Sequence, residues 1–119
     1  MNNLADRIQK RLAQKKVVIT LDEAKDIEDC FQLMYDALPE ERIQECIEKA
    51  RKQKKVGYHN LSTKKSPCYF KCQTQTKEFY LTLKLGKSFD LLATIYWDLK
   101  QHSYGFKKGQ TGCIAEPLE

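Results

Sequence analysis

Leu4, Ile8 and Leu12 recur at every fourth position among polar neighbours, which is one face of an α-helix and predicts a short amphipathic helix over residues 3–15. The β-branched run Val17-Val18-Ile19 then reads as a short strand ending at Thr20. Thr20 followed by Glu23 fits a capping box, with Asp22 in the first turn, and Ile27, Cys30, Phe31, Met34 and Leu38 continue one helical stripe. Pro39 stops this helix or starts the next, with Glu40 and Glu41 in a first turn. Ile43, Cys46, Ile47 and Ala50 form the second stripe, which runs out in Lys49, Arg51, Lys52, Lys54 and Lys55. Acids at the start and bases at the end match the helix dipole, so an antiparallel helical pair joined at Pro39 is expected.

The period changes near Gly57. Residues 56–61 read as a strand and 62–67 as a polar loop. Cys68, Phe70 and Cys72 alternate with Tyr69, Lys71 and Gln73, and Phe79, Leu81, Leu83 and Leu85 alternate with Tyr80, Thr82 and Lys84. Both are half-buried strands by the period-two rule. A four-residue loop at 74–77 sets Cys72 opposite Phe79, Phe70 opposite Leu81 and Cys68 opposite Leu83, with Lys71–Tyr80 and Tyr69–Thr82 as the outward pairs. A slip of one residue would turn every apolar side chain to the wrong face.

After Gly86, Ser88 reads as an N-cap and Phe89, Leu92, Ile95, Tyr96 and Leu99 as the stripe of a C-terminal helix reaching about Gln101. On that helix Trp97 would lie about 100° from Tyr96, flanking the core stripe or anchoring a partner. Residues 105–119, with Gly105, Gly109, Gly112 and Pro117, read as a flexible tail, and the closing Leu118-Glu119 is a dipeptide that cloning sites leave behind. The expected class is α+β: N-terminal helices, a small antiparallel β-sheet and a C-terminal helix, as a single domain over 1–104.

Composition narrows the function classes. A chain of 119 residues, 41% hydrophobic and 31% charged, supports one folded core. No apolar run approaches the roughly eighteen residues of a membrane span. The first residues carry no apolar segment that a secretion system could read, so a cytoplasmic location and reduced cysteines are expected for the five thiols. Cys68 and Cys72 lie about 13 Å apart along a strand, too far to share a zinc ion. There is no phosphate-cradling glycine loop, no Gly-x-Ser-x-Gly and no His-Glu-x-x-His, and neither metal nor cofactor is expected.

Charge is strongly segregated. Net charge is +4 over residues 1–21, −8 over 22–48, +10 over 49–87 and −1 over 88–119. The basic stretch coincides with the hairpin, whose outer face offers Tyr69, Lys71, Tyr80 and Lys84, with Lys54, Lys55, Lys64 and Lys65 nearby in sequence. Lysines neutralise phosphates and tyrosines stack on unpaired bases, so these eight residues are the expected contacts to nucleic acid or another polyanion, in a module without catalysis. Seventeen lysines against four arginines favour reading of the backbone over base sequence. The bland alternative is that tyrosine suits strands and lysine keeps edges soluble.

Two other classes stand beside this one. The acidic helices, with Glu40, Glu41 and Glu45, and Trp97 suit a protein-interaction module, an adaptor or small inhibitor, or head-to-tail self-association with the basic hairpin. The third class is a phosphodiester-cleaving enzyme in which His59 or His102 moves a proton beside a phosphate. The order of strand, two helices, sheet and helix resembles the small ribonuclease toxins of bacterial toxin–antitoxin pairs in topology alone, with no motif of theirs matched residue by residue.

Overall fold

The computed structural model describes residues 3–53, 59–61, 70–97, 101–102, 105–106 and 112–119. Among them the chain is α+β, with helices first and an antiparallel sheet after.

Helix α1 spans Leu4–Gln14 and buries Leu4, Ala5, Ile8 and Leu12, the stripe its spacing predicts. It ends in a tight cap: Lys16 N–H donates to the Ala13 carbonyl and Val17 N–H to the Leu12 carbonyl, both at 2.9 Å. This is the Schellman pattern, and its turning residue, Lys16, takes φ 64°. Glycine usually stands there; a lysine in the left-handed region costs about 1 kcal/mol.

The expected strand at 17–19 is a correction. The cap of α1 and the start of the next helix leave three residues between them, with no strand partner among the described residues. Ile19 is buried and its carbonyl accepts from Gln9 Nε2, whereas Val18 stands in solvent.

Helix α2 spans Leu21–Asp36 behind the capping box at Thr20 and Glu23. Helix α3 spans Glu40–Lys52, with Pro39 as its N-cap, and buries Ile43, Cys46 and Ala50.

The strands are β1 (His59–Asn60), β2 (Phe70–Gln73), β3 (Glu78–Leu85), β4 (Leu91–Trp97), β5 (Gln101–His102), β6 (Gly105–Phe106) and β7 (Gly112–Pro117). β5 and β6 pair with each other. In the main sheet β1 and β2 both lie along one side of β3, with β4 on the other side and β7 beyond it, all antiparallel. The β2–β3 register is Phe70–Leu81, Lys71–Tyr80, Cys72–Phe79, closing through 74–77 as the alternation predicts. Cys68 and Tyr69 lie outside the described residues.

The C-terminal helix is the larger correction. Residues 91–97 form a strand in the middle of the sheet. Leu91-Leu92-Ala93-Thr94-Ile95-Tyr96-Trp97 is apolar on both faces, as a central strand buried on both sides must be, and such a run also satisfies a helical stripe. Ser88, read as an N-cap, belongs to the β3–β4 turn, where Gly86 N–H donates to the Asp90 carbonyl at 2.8 Å. Part of the expected tail is also sheet: β7 pairs with β4 from Gly112 to Pro117, and Leu118 is buried with its N–H on the Leu91 carbonyl.

One sheet face carries Phe79, Leu81, Leu83, Leu85, Ala93, Ile95 and Ile114 into the core beneath the helices. Burying such side chains stabilises by roughly 1.5–3 kcal/mol each. No helix among the described residues is long and apolar enough to cross a membrane.

Candidate nucleic-acid interface

The outer sheet face is built by register. Lys71, Tyr80 and Tyr96 stand in line across β2, β3 and β4, and Thr82 faces Thr94 one pair further on. Lys71 is exposed, its ammonium 3.5 Å from the Glu78 carboxylate. The Tyr80 hydroxyl donates to the same carboxylate. That bond, more than the nearby Lys71 charge, lowers the Glu78 pKa from its ordinary value and raises that of Tyr80. Lys84 is half-buried: its ammonium donates to the Tyr96 hydroxyl and lies 5.2 Å from the ring centroid. Burial pushes the Tyr96 phenol up to about 12, so it stays protonated.

Of the eight contacts expected from sequence, three thus share one described face: Lys71, Tyr80 and Lys84. Lys54, Lys55, Lys64, Lys65 and Tyr69 lie outside the described residues. Tyr96 was hidden from the sequence reading by its assignment to a helix. The middle of the face is closed, since Thr82 and Thr94 are 2% and 3% exposed.

The sheet ends in a cleft of about 520 Å³ lined by Lys16 and Val17 after α1, Thr76 and Lys77 in the hairpin loop, and Tyr80 and Trp97 from β3 and β4. Glu78 and Phe79 complete the described lining. The size falls in the roughly 300–1,000 Å³ range of small-molecule sites. Trp97 is seated by Gly112: a Cβ at 112 would stand 2.0 Å from the indole Cε2.

The hairpin loop is held from below by Glu23, which is 2% exposed. Its carboxylate accepts from the Thr74 hydroxyl (2.5 Å), the Thr76 hydroxyl (2.8 Å), the Thr76 amide (3.3 Å) and the Thr20 amide (3.3 Å). These bonds, the Thr74 hydroxyl first, outweigh the cost of burial and draw its pKa down to about 2. The cleft wall at Thr76 and Lys77 is therefore fixed to the first turn of α2.

No family model matches this chain, nor does any curated protein or solved structure.

The other candidate chemistries fall elsewhere. Cys72 pairs with Cys30 of α2, sulfur to sulfur at 3.4 Å, and burial ahead of that neighbour pushes its thiol up to about 12, the opposite of a nucleophile. Among the described residues no three His, Cys, Asp or Glu side chains converge as a metal site. His59 and His102 fall on β1 and β5, with their side chains outside the described residues. Arg7 and Arg11 meet Glu116 of β7, each at 3.4 Å, so part of the N-terminal positive charge is structural. Glu40 accepts from Gln44 and Glu45 pairs with Arg42, while Glu41 is exposed, all on α3. Trp97 stands apart from that set, among Lys16, Lys77 and Tyr80.

Proposed function

We propose that this chain is a binding module that contacts nucleic acid or another polyanion through the outer face and tip of the β2–β3 hairpin, without catalysing a reaction. The observation that carries this reading is the alignment of Lys71 with Tyr80 across the hairpin, beside a tip that carries Lys77. The alignment puts cationic and aromatic groups on one surface, the combination that binds backbone by charge and bases by stacking. The Lys71–Glu78 pair is compatible with it. An exposed ion pair is weak and screened by salt, so Lys71 exchanges its carboxylate for phosphate at little cost. Lys84 contributes through the Tyr96 ring it rests on, as a local positive potential more than as a free hand.

The reading is tested by Lys71→Glu combined with Lys84→Glu, which should abolish binding of labelled RNA or DNA while circular dichroism stays that of the parent. Binding that survives in a folded double variant would move the contact to another surface.

A second reading, docking of a basic protein, is favoured by α2. Asp22, Asp26, Asp29 and Asp36 are exposed there, and Leu33 stands among them 62% exposed. Charge reversal at Asp29 and Asp36 should release such a partner; with Glu41 and Glu45 reversed in parallel, the same experiment separates α2 from α3.

A further inference from the structure

We infer that the cleft between the end of α1 and the hairpin tip seats one unpaired nucleotide of a single-stranded nucleic acid, its base against Trp97 and its phosphate between Lys16 and Lys77. This rests on the polyanion reading and names the ligand element that the hairpin alone does not specify.

The chemistry of the walls selects the ligand. Half-buried Trp97, at the end of β4 and packed against the core, lines a space of about 520 Å³, large enough for a base with its sugar. Lys16 and Lys77 enter from separate elements, one at the end of α1 and the other in the hairpin loop. Base stacking needs a flat face and tolerates any sequence, while the ammonium groups need only a phosphate. Glu78 also lines the cleft, but its charge is shared with Lys71 and the Tyr80 hydroxyl. A stacked duplex presents no free base face, so the cleft discriminates against it.

Two features of the backbone agree with a built site. Lys16 keeps a long cationic side chain at a turn where its φ of 64° favours glycine. Gly112 is bare where any side chain would expel the indole of Trp97. The first sacrifices local stability for a charge at the cleft, and the second holds the stacking surface in position.

Trp97 is the chain's one tryptophan, so its emission reports on this cleft alone. The test titrates the full chain with a short single-stranded oligonucleotide, its duplex form and a nucleoside monophosphate. Trp97 fluorescence and the anisotropy of the labelled strand are read together. Saturable quenching by the single strand and by the monophosphate, but not by the duplex, is expected. Lys16→Gly should raise the melting temperature yet weaken single-strand binding, and Lys16→Gly or Lys77→Gln should each lower the salt slope of binding by about one. Anisotropy that reports binding while Trp97 emission stays flat would overturn the cleft assignment and leave the polyanion reading standing. Equal quenching by the duplex would overturn the unpaired nucleotide, as would a Lys16→Gly variant that binds like the parent. Absence of binding in both signals would remove the polyanion reading and this inference together.

Discussion

The carboxylate of Glu23, in the first turn of α2, accepts a 2.5 Å hydrogen bond from the hydroxyl of Thr74, 51 residues further along the chain. One residue thus does two tasks. It closes the capping box with Thr20, and it anchors the hairpin loop whose next residues, Thr76 and Lys77, line the cleft.

Replacing that carboxylate should loosen the loop. Glu23→Gln puts an amide donor against hydroxyl and amide donors, and should cost about 2 kcal/mol in urea unfolding. The pH dependence follows from the same bonds. The folded carboxyl sits at about 2, below its ordinary 4.5, so its stabilising effect is complete above pH 4.5 and drains away as pH falls towards 2. Acid unfolding of Glu23→Gln should be flatter over that interval than in the parent. Parallel curves would mean that Glu23 does not bear the charge assigned to it.

Thr94 should be replaceable with profit. Its hydroxyl is buried opposite Thr82 and has no hydrogen-bond partner among the described residues, so Thr94→Val removes a desolvation cost at nearly constant shape. A gain of about 1 kcal/mol in thermal or urea unfolding is expected.

Glu116 ties the last strand to the first helix through Arg7 and Arg11. Glu116→Ala leaves two partly buried guanidinium groups without their carboxylate and should cost about 1–2 kcal/mol. Lys→Gln changes at exposed Lys10 should be neutral by the same measurement.

Gly112→Ala should report on the indole seat. The new Cβ collides with Trp97, so the tryptophan emission maximum should shift and stability should fall by about 1–3 kcal/mol. An unchanged spectrum would place the indole elsewhere.

What was legible in the sequence follows from locality. The β2–β3 register could be read because polar and apolar residues alternate across it and a one-residue slip reverses every face. The capping box at Thr20 could be read because its partners are three residues apart. β4 could not, because a strand buried on both faces loses its alternation and Phe89, Leu92, Ile95, Tyr96 and Leu99 then imitate a helical stripe. The burial of Glu23 was hidden for a different reason: a glutamate in a first helical turn looks solvated until Thr74 and Thr76 arrive from the hairpin. The cleft has the same origin, joining Lys16, Lys77 and Trp97 from three separate stretches of chain. The outward placement of Lys71, Tyr80 and Lys84, set by local pairing and alternation, carried the candidate surface forward from sequence.

The most direct test of that surface is fluorescence anisotropy of labelled single-stranded and duplex RNA and DNA titrated with the protein at two salt concentrations. Binding whose affinity falls steeply with salt is the predicted result, because lysine contacts to phosphate release counterions. No binding at the lower salt would contradict the account and leave the basic hairpin face as a surface that serves solubility.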